Sequence, residues 1–232
     1  MSNFFSSSIG KKFLLSLTGL FLVMFLFIHL SLNALLLIND GGELFNAAAH
    51  FMATNPFIKI MEPMLAIGFI VHIIWASTLT LQNQKARGKD RYASGNNTPD
   101  VAWASKNMYI LGLTVLAFLI VHIAHFWVKI KVTGDPLLSH TNIMIAGVET
   151  EVENAYALVN QTFSMLWVVI VYVIGSLGLA YHLSHGFWSA LQTIGFSNTI
   201  WRKRWSVVGT AVAVIIGVGF SSIAVLQYLF FQ

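Results

Sequence analysis

The 232-residue chain contains no cysteine and little charge: only 9% of its residues are Asp, Glu, Lys or Arg, whereas 56% are apolar. Without cysteine, no disulfide, iron–sulfur cluster or thiolate zinc site can be built from this chain alone. Since a soluble domain carries about 25% charged residues, the low charge excludes an ordinary soluble fold. Any metal would have to be held by histidine or oxygen ligands.

The sequence also lacks a basic stripe with interleaved aromatic residues, so the net charge of +4 gives no indication of a nucleic-acid partner. It lacks the pattern of a cleaved signal peptide as well. The apolar run after Lys11 and Lys12 continues to about Ile38, whereas a signal peptide has an apolar region of about 7–15 residues and a small-residue cleavage site. We therefore expect this segment to be retained as a helix.

Long apolar runs are what the sequence has in place of charge. A helix needs about 20 apolar residues to span a bilayer, and five stretches are long enough. They predict an all-α membrane protein, a single membrane domain over residues 1–232 with five transmembrane helices. The predicted helices cover about 13–38, 57–82, 106–130, 161–193 and 207–230. The fourth exceeds one span, so part of it is expected to tilt or to project past the membrane.

The distribution of charge predicts the orientation, because Lys and Arg accumulate on the cytoplasmic side. A cytoplasmic N-terminus leaves only Lys59, Lys129 and Lys131 of the thirteen basic residues outside. The C-terminus would then lie outside, in a multi-pass protein of the cell's inner (cytoplasmic) membrane. The inner loop 83–105 is expected to be irregular, meeting anionic membrane lipid or a cytoplasmic partner. The acidic outer loop 131–157 is expected to cap the outer face.

Histidines inside four of the apolar segments are the most informative feature. At 1.5 Å per residue, His29 and His122 lie roughly 25 Å from the inner ends of their helices, and His72 and His182 roughly 15 Å. Ionisable residues inside a membrane are functional by default, although a single buried histidine is more often structural. Two matched pairs about 10 Å apart along the membrane normal predict a bundle that holds two haems, each between facing histidines.

Two further histidines leave the choice of ligand partly open. His125 and His185 follow His122 and His182 by three residues, on nearly the same helix face. Depth does not separate His122 from His125, whereas His182 matches the level of His72 better than His185 does. Glycines near these sites could admit the edges of a cofactor ring or simply allow close helix packing. They are Gly19, Gly68, Gly175 and Gly178.

Three motifs resemble the di-haem cytochrome b membrane-anchor subunit of succinate:quinone oxidoreductases, the succinate dehydrogenase and fumarate reductase family. They are Ser-Leu-Thr-Gly-Leu (16–20) ahead of His29 and Asn33, His-Ile-Ala-His-Phe-Trp-Val-Lys (122–129), and His-x-x-His-Gly-Phe-Trp (182–188). The five-helix layout is similar over nearly the whole chain. Some relatives carry a glutamate two residues before the helix-four ligand, where this chain has Ala180, which puts a transmembrane proton route in doubt.

The resemblance implies a set of cofactor ligands and partners. His29 and His122 would hold an outer haem b, His72 and His182 an inner haem b, with His125 and His185 secondary. The chain would anchor a flavoprotein subunit and an iron–sulfur subunit at the cytoplasmic face. Electrons from succinate would pass through both haems to a membrane quinone, for which the family favours menaquinone. The chain itself would perform no dehydrogenation, but would supply haem ligation and the site of quinone reduction.

Quinone reduction also needs a proton donor. Glu62, Glu43 and His50 lie at or near the predicted outer start of the second helix and are candidates, although solvated interface residues would give the same pattern. Two other functions share some of these features. Another di-haem carrier, such as a cytochrome b561-like protein or the anchor of a different dehydrogenase, would share the histidine geometry. A proton-coupled transporter would use the buried histidines without haem.

Overall fold

The fold is known from a computed structural model that describes residues 7–87 and 103–231. Within these ranges, five helices are long and apolar enough to cross a membrane, so the predicted helical membrane protein with five spans is confirmed. They are α1 (Ser8–Ala34), α3 (Pro56–Arg87), α5 (Met108–His122), α7 (Leu166–Thr193) and α8 (Thr199–Phe230). The third span continues beyond α5 through two π-helical turns, Ile123–Trp127 and Lys129–Thr133.

Shorter elements connect the spans. They are a 3₁₀ turn (Leu35–Leu37), α2 (Glu43–Thr54), α4 (Trp103–Lys106), a second 3₁₀ turn (Pro136–Leu138), strands β1 (His140–Ile145) and β2 (Val148–Glu153), and α6 (Ala155–Phe163). Several helices begin where a polar side chain caps the free amides of the first turn. The Ser7 hydroxyl accepts from the Gly10 amide at 3.0 Å, and the Asn198 carbonyl oxygen accepts from the Trp201 amide at 2.9 Å.

Several boundaries differ from the predictions, and the first helix begins at Ser8 rather than at about residue 13. The helix predicted over 161–193 is divided, because α6 ends at Phe163 and α7 begins at Leu166. The helix predicted from residue 207 begins at Thr199, where the Asn198 cap starts it. The loop predicted over 83–105 is shortened, since α3 continues to Arg87 and α4 begins at Trp103. Its central part, residues 88–102, lies outside the described residues.

The predicted outer cap contains an antiparallel hairpin, which is an addition to the otherwise helical fold. Strands β1 and β2 pair from His140 with Glu153 to Ile145 with Val148. Ala146 and Gly147 form the connection with φ angles of +51° and +82°, as a two-residue hairpin turn with both φ positive requires. Within β2, Val152 is buried while its neighbours Glu151 and Glu153 are exposed, so the acidic residues point away from the protein.

The spans pack around α7. Helix α7 lies against α8 along most of its length and also contacts α1 and α5, while α1 packs against α3. One buried core, at the end of the bundle where α1 ends and α7 begins, contains Leu36, Val168 and Tyr172, and Gln227 donates to the Leu36 carbonyl at 2.6 Å. Burial of this amide requires such a partner. The arrangement sets four helices, α1, α3, α5 and α7, around the histidines.

Candidate functional site

The structure brings together the histidines that the sequence paired by depth. His29 on α1 and His122 on α5 form one pair, with ring centres 5.7 Å apart and planes at 89°. His72 on α3 and His182 on α7 form the other, with ring centres 6.4 Å apart and planes at 74°. We call these the outer pair and the inner pair, after the predicted orientation. Each pair joins two helices that do not follow each other in the chain.

The inner pair lies against two glycines. A Cβ atom added to Gly19 of α1 would lie 3.3 Å from Cε1 of His72, and one added to Gly112 of α5 would lie 3.4 Å from Cε1 of His182. The first distance is tighter than ordinary van der Waals contact, and the second is at its lower limit. Glycine at these two positions therefore lets the imidazoles approach the neighbouring helix backbone.

The same glycines show how far apart the two pairs are. Gly19 precedes His29 by ten residues, and Gly112 precedes His122 by ten residues. At 1.5 Å per residue, the inner and outer pairs are about 15 Å apart along the helices. This spacing is larger than the roughly 10 Å estimated from the predicted helix ends, because those ends do not lie at one height.

Aromatic rings surround the outer pair. Phe25 stacks on His29 with ring centres 5.2 Å apart, and Phe220 of α8 packs against the same imidazole at 5.5 Å. The His122 ring contacts three more rings, with centres 5.3 to 5.9 Å away. They are Phe118, Phe126 and Tyr172. The outer imidazoles are thus held in an apolar environment, which excludes water and lowers the local dielectric constant.

The four histidines differ in what lies beside the ring nitrogen Nδ1. Nδ1 of His29 lies 3.4 Å from the Asn33 amide nitrogen, and Nδ1 of His72 lies 3.4 Å from the Thr18 hydroxyl. In the part of the chain that the structure describes, Nδ1 of His122 and Nδ1 of His182 are buried without a hydrogen-bond partner. A histidine that binds metal usually donates its other ring N–H, which the Thr18 hydroxyl can accept and the Asn33 amide nitrogen cannot.

The secondary histidines face elsewhere. His125 turns toward α7, where its Nδ1 lies 3.2 Å from the Tyr172 hydroxyl. His185 packs edge-on against Trp188, with ring centres 4.8 Å apart. Neither is the partner of His29 or His72 in the closest ring pairs, so the geometry favours His122 and His182 as the facing residues.

The three predicted proton donors do not form one cluster in the described part of the chain. Glu62 on α3 accepts a hydrogen bond from the Trp127 indole at 2.8 Å and pairs with the Lys131 ammonium at 3.6 Å. Both partners lie in the π-helical turns that follow α5. Glu43 is exposed in the first turn of α2, and His50 is half-buried further along it. Among the described residues, no hydrogen bond or ion pair joins either of them to Glu62.

The histidine pairs fit a haem better than a metal ion held by protein alone. Over residues 7–87 and 103–231, no group of three or more His, Cys, Asp or Glu side chains could hold a metal ion. Two imidazoles that bind one iron from opposite sides, each nitrogen about 2 Å from it, have ring centres about 6 Å apart. The measured 5.7 and 6.4 Å agree with that arrangement.

Sequence reasoning missed Gly112, Thr18 and Tyr172 as neighbours of the histidines. A signal for Gly112 was present, because the spacing of Gly19 from His29 recurs between Gly112 and His122. No comparable pattern marked Tyr172. Its contact with His125 depends on the π-helical turn, which the sequence did not predict.

Comparison of the chain with protein-family models, with curated proteins and with solved structures found no match.

Proposed function

We propose that this chain is the di-haem cytochrome b membrane anchor of a succinate:quinone oxidoreductase. The proposal rests on the two pairs of facing imidazoles. The ring centres within the pairs are 5.7 and 6.4 Å apart, and one pair lies about 15 Å from the other along the bundle. A single pair would be unremarkable, since buried histidines are often structural. Two similar pairs, each built from different helices, are what two axially ligated macrocycles require.

The chain's own residues would bind and orient the cofactors. His29 and His122 would hold an outer haem b, and His72 and His182 an inner haem b. Bound haem supplies one-electron redox chemistry, whose potential depends on burial and on hydrogen bonds around the ligands. The Thr18 hydroxyl would accept the Nδ1–H of His72 and fix its ring, while the aromatic rings around the outer pair would hold His29 in place and exclude water.

The charge distribution supports the proposed orientation and partners. Lys11, Arg202 and Arg204 lie at one end of the bundle, each with its charged group 5.0 to 5.7 Å from a tryptophan ring centre. Cations and tryptophans together are typical of the cytoplasmic membrane interface. The N-terminus would lie in the cytoplasm of a cell whose inner membrane holds the protein, and the flavoprotein and iron–sulfur subunits would dock at this end, nearest the inner pair.

Quinone reduction would take place at the opposite end, where Glu62 lies. Its carboxylate, held by Trp127 and Lys131 and partly exposed, would take up a proton from the outer solution and pass it to the ring oxygen of a quinone, for which we propose menaquinone. Glu43 and His50 are weaker candidates because no contact joins them to Glu62 among the described residues. Electrons would cross from the inner site to the outer site over roughly the 15 Å that separates the pairs.

Expression with haem, with and without the partner subunits, tests this function. We expect a redox titration of the purified chain to resolve two b-type components, and succinate to reduce both when the flavoprotein and iron–sulfur subunits are present. Two components that succinate cannot reduce would indicate another di-haem carrier. A colourless protein would contradict the proposal and would favour a role for the histidines in proton transport.

A further inference from the structure

The π-helical turn Ile123–Trp127 separates two histidines that an α-helix would place together. Residues three apart lie on nearly the same face of an α-helix. A π-turn closes its hydrogen bonds over five residues rather than four, so each residue turns less about the axis. His125 is consequently rotated away from His29 and onto α7. Such turns recur at functional sites.

Tyr172 meets His125 where it turns. The Tyr172 hydroxyl forms a hydrogen bond with Nδ1 of His125, with 3.2 Å between oxygen and nitrogen, and the two rings are almost parallel, 4° apart. Tyr172 is 6% exposed and packs edge-on against Phe163 and Phe118. Because both ends of its side chain are held, the Tyr172 ring has one available position.

The fixed Tyr172 ring in turn packs against His122, with ring centres 5.9 Å apart at an angle of 57°. His122 needs such support, since its Nδ1 is buried without a hydrogen-bond partner among the described residues. His29, opposite it, has Asn33 beside its own Nδ1. Ring packing therefore has to orient the His122 imidazole.

We propose that the hydrogen-bonded pair of His125 and Tyr172 positions His122 as the ligand of the outer haem. His125 itself does not bind iron in this arrangement. It fixes Tyr172, and Tyr172 fixes the plane of the His122 ring relative to that of His29, which is 89° away. This inference rests on the proposed haem ligation and names a role for two residues outside the ligand set.

Spectroscopy of the haem-loaded chain tests the inference, because the electron paramagnetic resonance signal of a low-spin ferric haem depends on the angle between its axial imidazole planes. We expect Tyr172→Phe to keep both haems, to shift or broaden the outer signal, and to change the outer midpoint potential while the inner values stay the same. His125→Phe should do likewise. The double variant should add nothing to the larger single effect, since both changes break one contact.

The matched control is Tyr181→Phe on the same helix, where the tyrosine is 56% exposed and should change neither signal. If Tyr172→Phe binds both haems and its outer signal equals that of the unaltered chain, the inference is wrong and the proposed function stands. If the unaltered chain binds no haem, both fall. Should Tyr172→Phe fail to fold, His125→Phe decides, because it leaves Tyr172 in place: an unchanged outer signal there overturns the inference.

Discussion

The helix pair α1 and α3 and the helix pair α5 and α7 place glycine and histidine in the same way. In α1, Gly19 precedes His29 by ten residues, and in α5, Gly112 precedes His122 by ten. In both pairs the first helix gives a histidine to the outer site and a glycine to the inner site. Each site is thus made from one histidine of each helix pair.

The second helices of the two pairs agree as well. In α3, Gly68 precedes His72 by four residues, and in α7, Gly178 precedes His182 by four. A Cβ atom on either glycine would come within 3.1 to 3.2 Å of a side chain two residues after the inner-site glycine of its partner helix. These side chains are Phe21 and Thr114. The repeated contacts indicate that both pairs pack in one register.

The two helix pairs differ in whether a polar side chain lies beside Nδ1 of their histidines. In the first pair, Asn33 and Thr18 lie within 3.4 Å of Nδ1 of His29 and His72. In the second pair, Nδ1 of both histidines is buried without a partner among the described residues. Where α1 has Asn33, four residues after its histidine, the π-helical turn that follows α5 has Phe126. The first pair therefore has a polar side chain beside each Nδ1, whereas Nδ1 in the second pair has no hydrogen-bond partner among the described residues.

Removal of a histidine gives the largest effect and tests whether each site draws on both helix pairs. We expect His72→Ala and His182→Ala each to reduce the haem content from two per chain to one, with loss of the inner component and retention of the outer one. His29→Ala and His122→Ala should remove the outer component. Haem content and redox titration measure these outcomes, and loss of different components from His72→Ala and His182→Ala would break the comparison.

Removal of the hydrogen bonds in the first helix pair should give the next largest effect. Outer neighbours of metal-binding histidines typically change affinity by about 10–100-fold when replaced. We expect Thr18→Val to raise the rate of inner haem loss to a haem-binding scavenger by about 10-fold or more, and Asn33→Leu to change the loss of the outer haem less, because an amide nitrogen cannot accept the ring N–H. Thr114→Val is the control, because among the described residues the Thr114 hydroxyl bonds only the Ile110 carbonyl of its own helix. Equal rates in Thr18→Val and Thr114→Val would contradict the difference between the helix pairs.

The fold was more predictable than the site, and for physical reasons. Long apolar runs gave the five spans and the levels of the histidines, since both depend only on helix length. The break before Leu166 was missed because the apolar pattern continues through it. The hairpin was missed although Ala146 and Gly147 offer a turn and Val152 alternates with glutamates. Depth left His122 and His125 open, the resemblance chose His122, and no local pattern indicated the π-helical turn that separates the two. The ligands, partners and quinone site stay predictions.

Replacement of the inner-site glycines, Gly19 and Gly112, by alanine should change stability by a smaller amount, and by the same amount in both helix pairs. In a helix, Gly→Ala gains about 1 kcal/mol from propensity, whereas a Cβ 3.3 or 3.4 Å from His72 or His182 crowds a ring that haem would hold still. We expect Gly19→Ala and Gly112→Ala to stabilise the haem-free chain by up to about 1 kcal/mol, and to lower the stability of the haem-loaded chain by about 1 kcal/mol, the net of that gain and an overpacking cost of about 2 kcal/mol.

Thermal unfolding with and without haem measures these effects. Gly186→Ala on α7 is the control, because its Cβ would meet the flexible end of Met108 at 3.0 Å rather than a histidine. It should behave alike in both states. A destabilisation at Gly19 without one at Gly112 would show that the inner histidines are packed differently in the two helix pairs.

The smallest expected effect concerns the segments that leave the two outer-site helices. After α1, Asp40 accepts from the amides of Gly42 and Leu44. After the span of α5, Asp135 accepts from the Leu137 amide at 2.9 Å and pairs with the Lys129 ammonium at 3.0 Å. The Leu137 amide and then Lys129 hold the pKa of Asp135 below its usual value. An ion pair therefore stabilises only the second of these turns among the described residues.

Because the pKa of Asp135 is lowered on folding, its contribution to stability is present above the unfolded-state pKa of about 3.9 and is lost as the pH falls through the lower folded-state value. We expect Asp135→Asn to lower the unfolding temperature slightly at pH 7 and to make a progressively smaller difference as the pH falls below about 4, because protonation removes the same charge from the unaltered chain. Lys129→Met should reduce the difference at pH 7, since part of it comes from the ion pair. If Asp135→Asn lowers the unfolding temperature equally at low pH, the side chain acts through its shape rather than its charge. The segments that follow the two outer-site helices would then be stabilised in the same way.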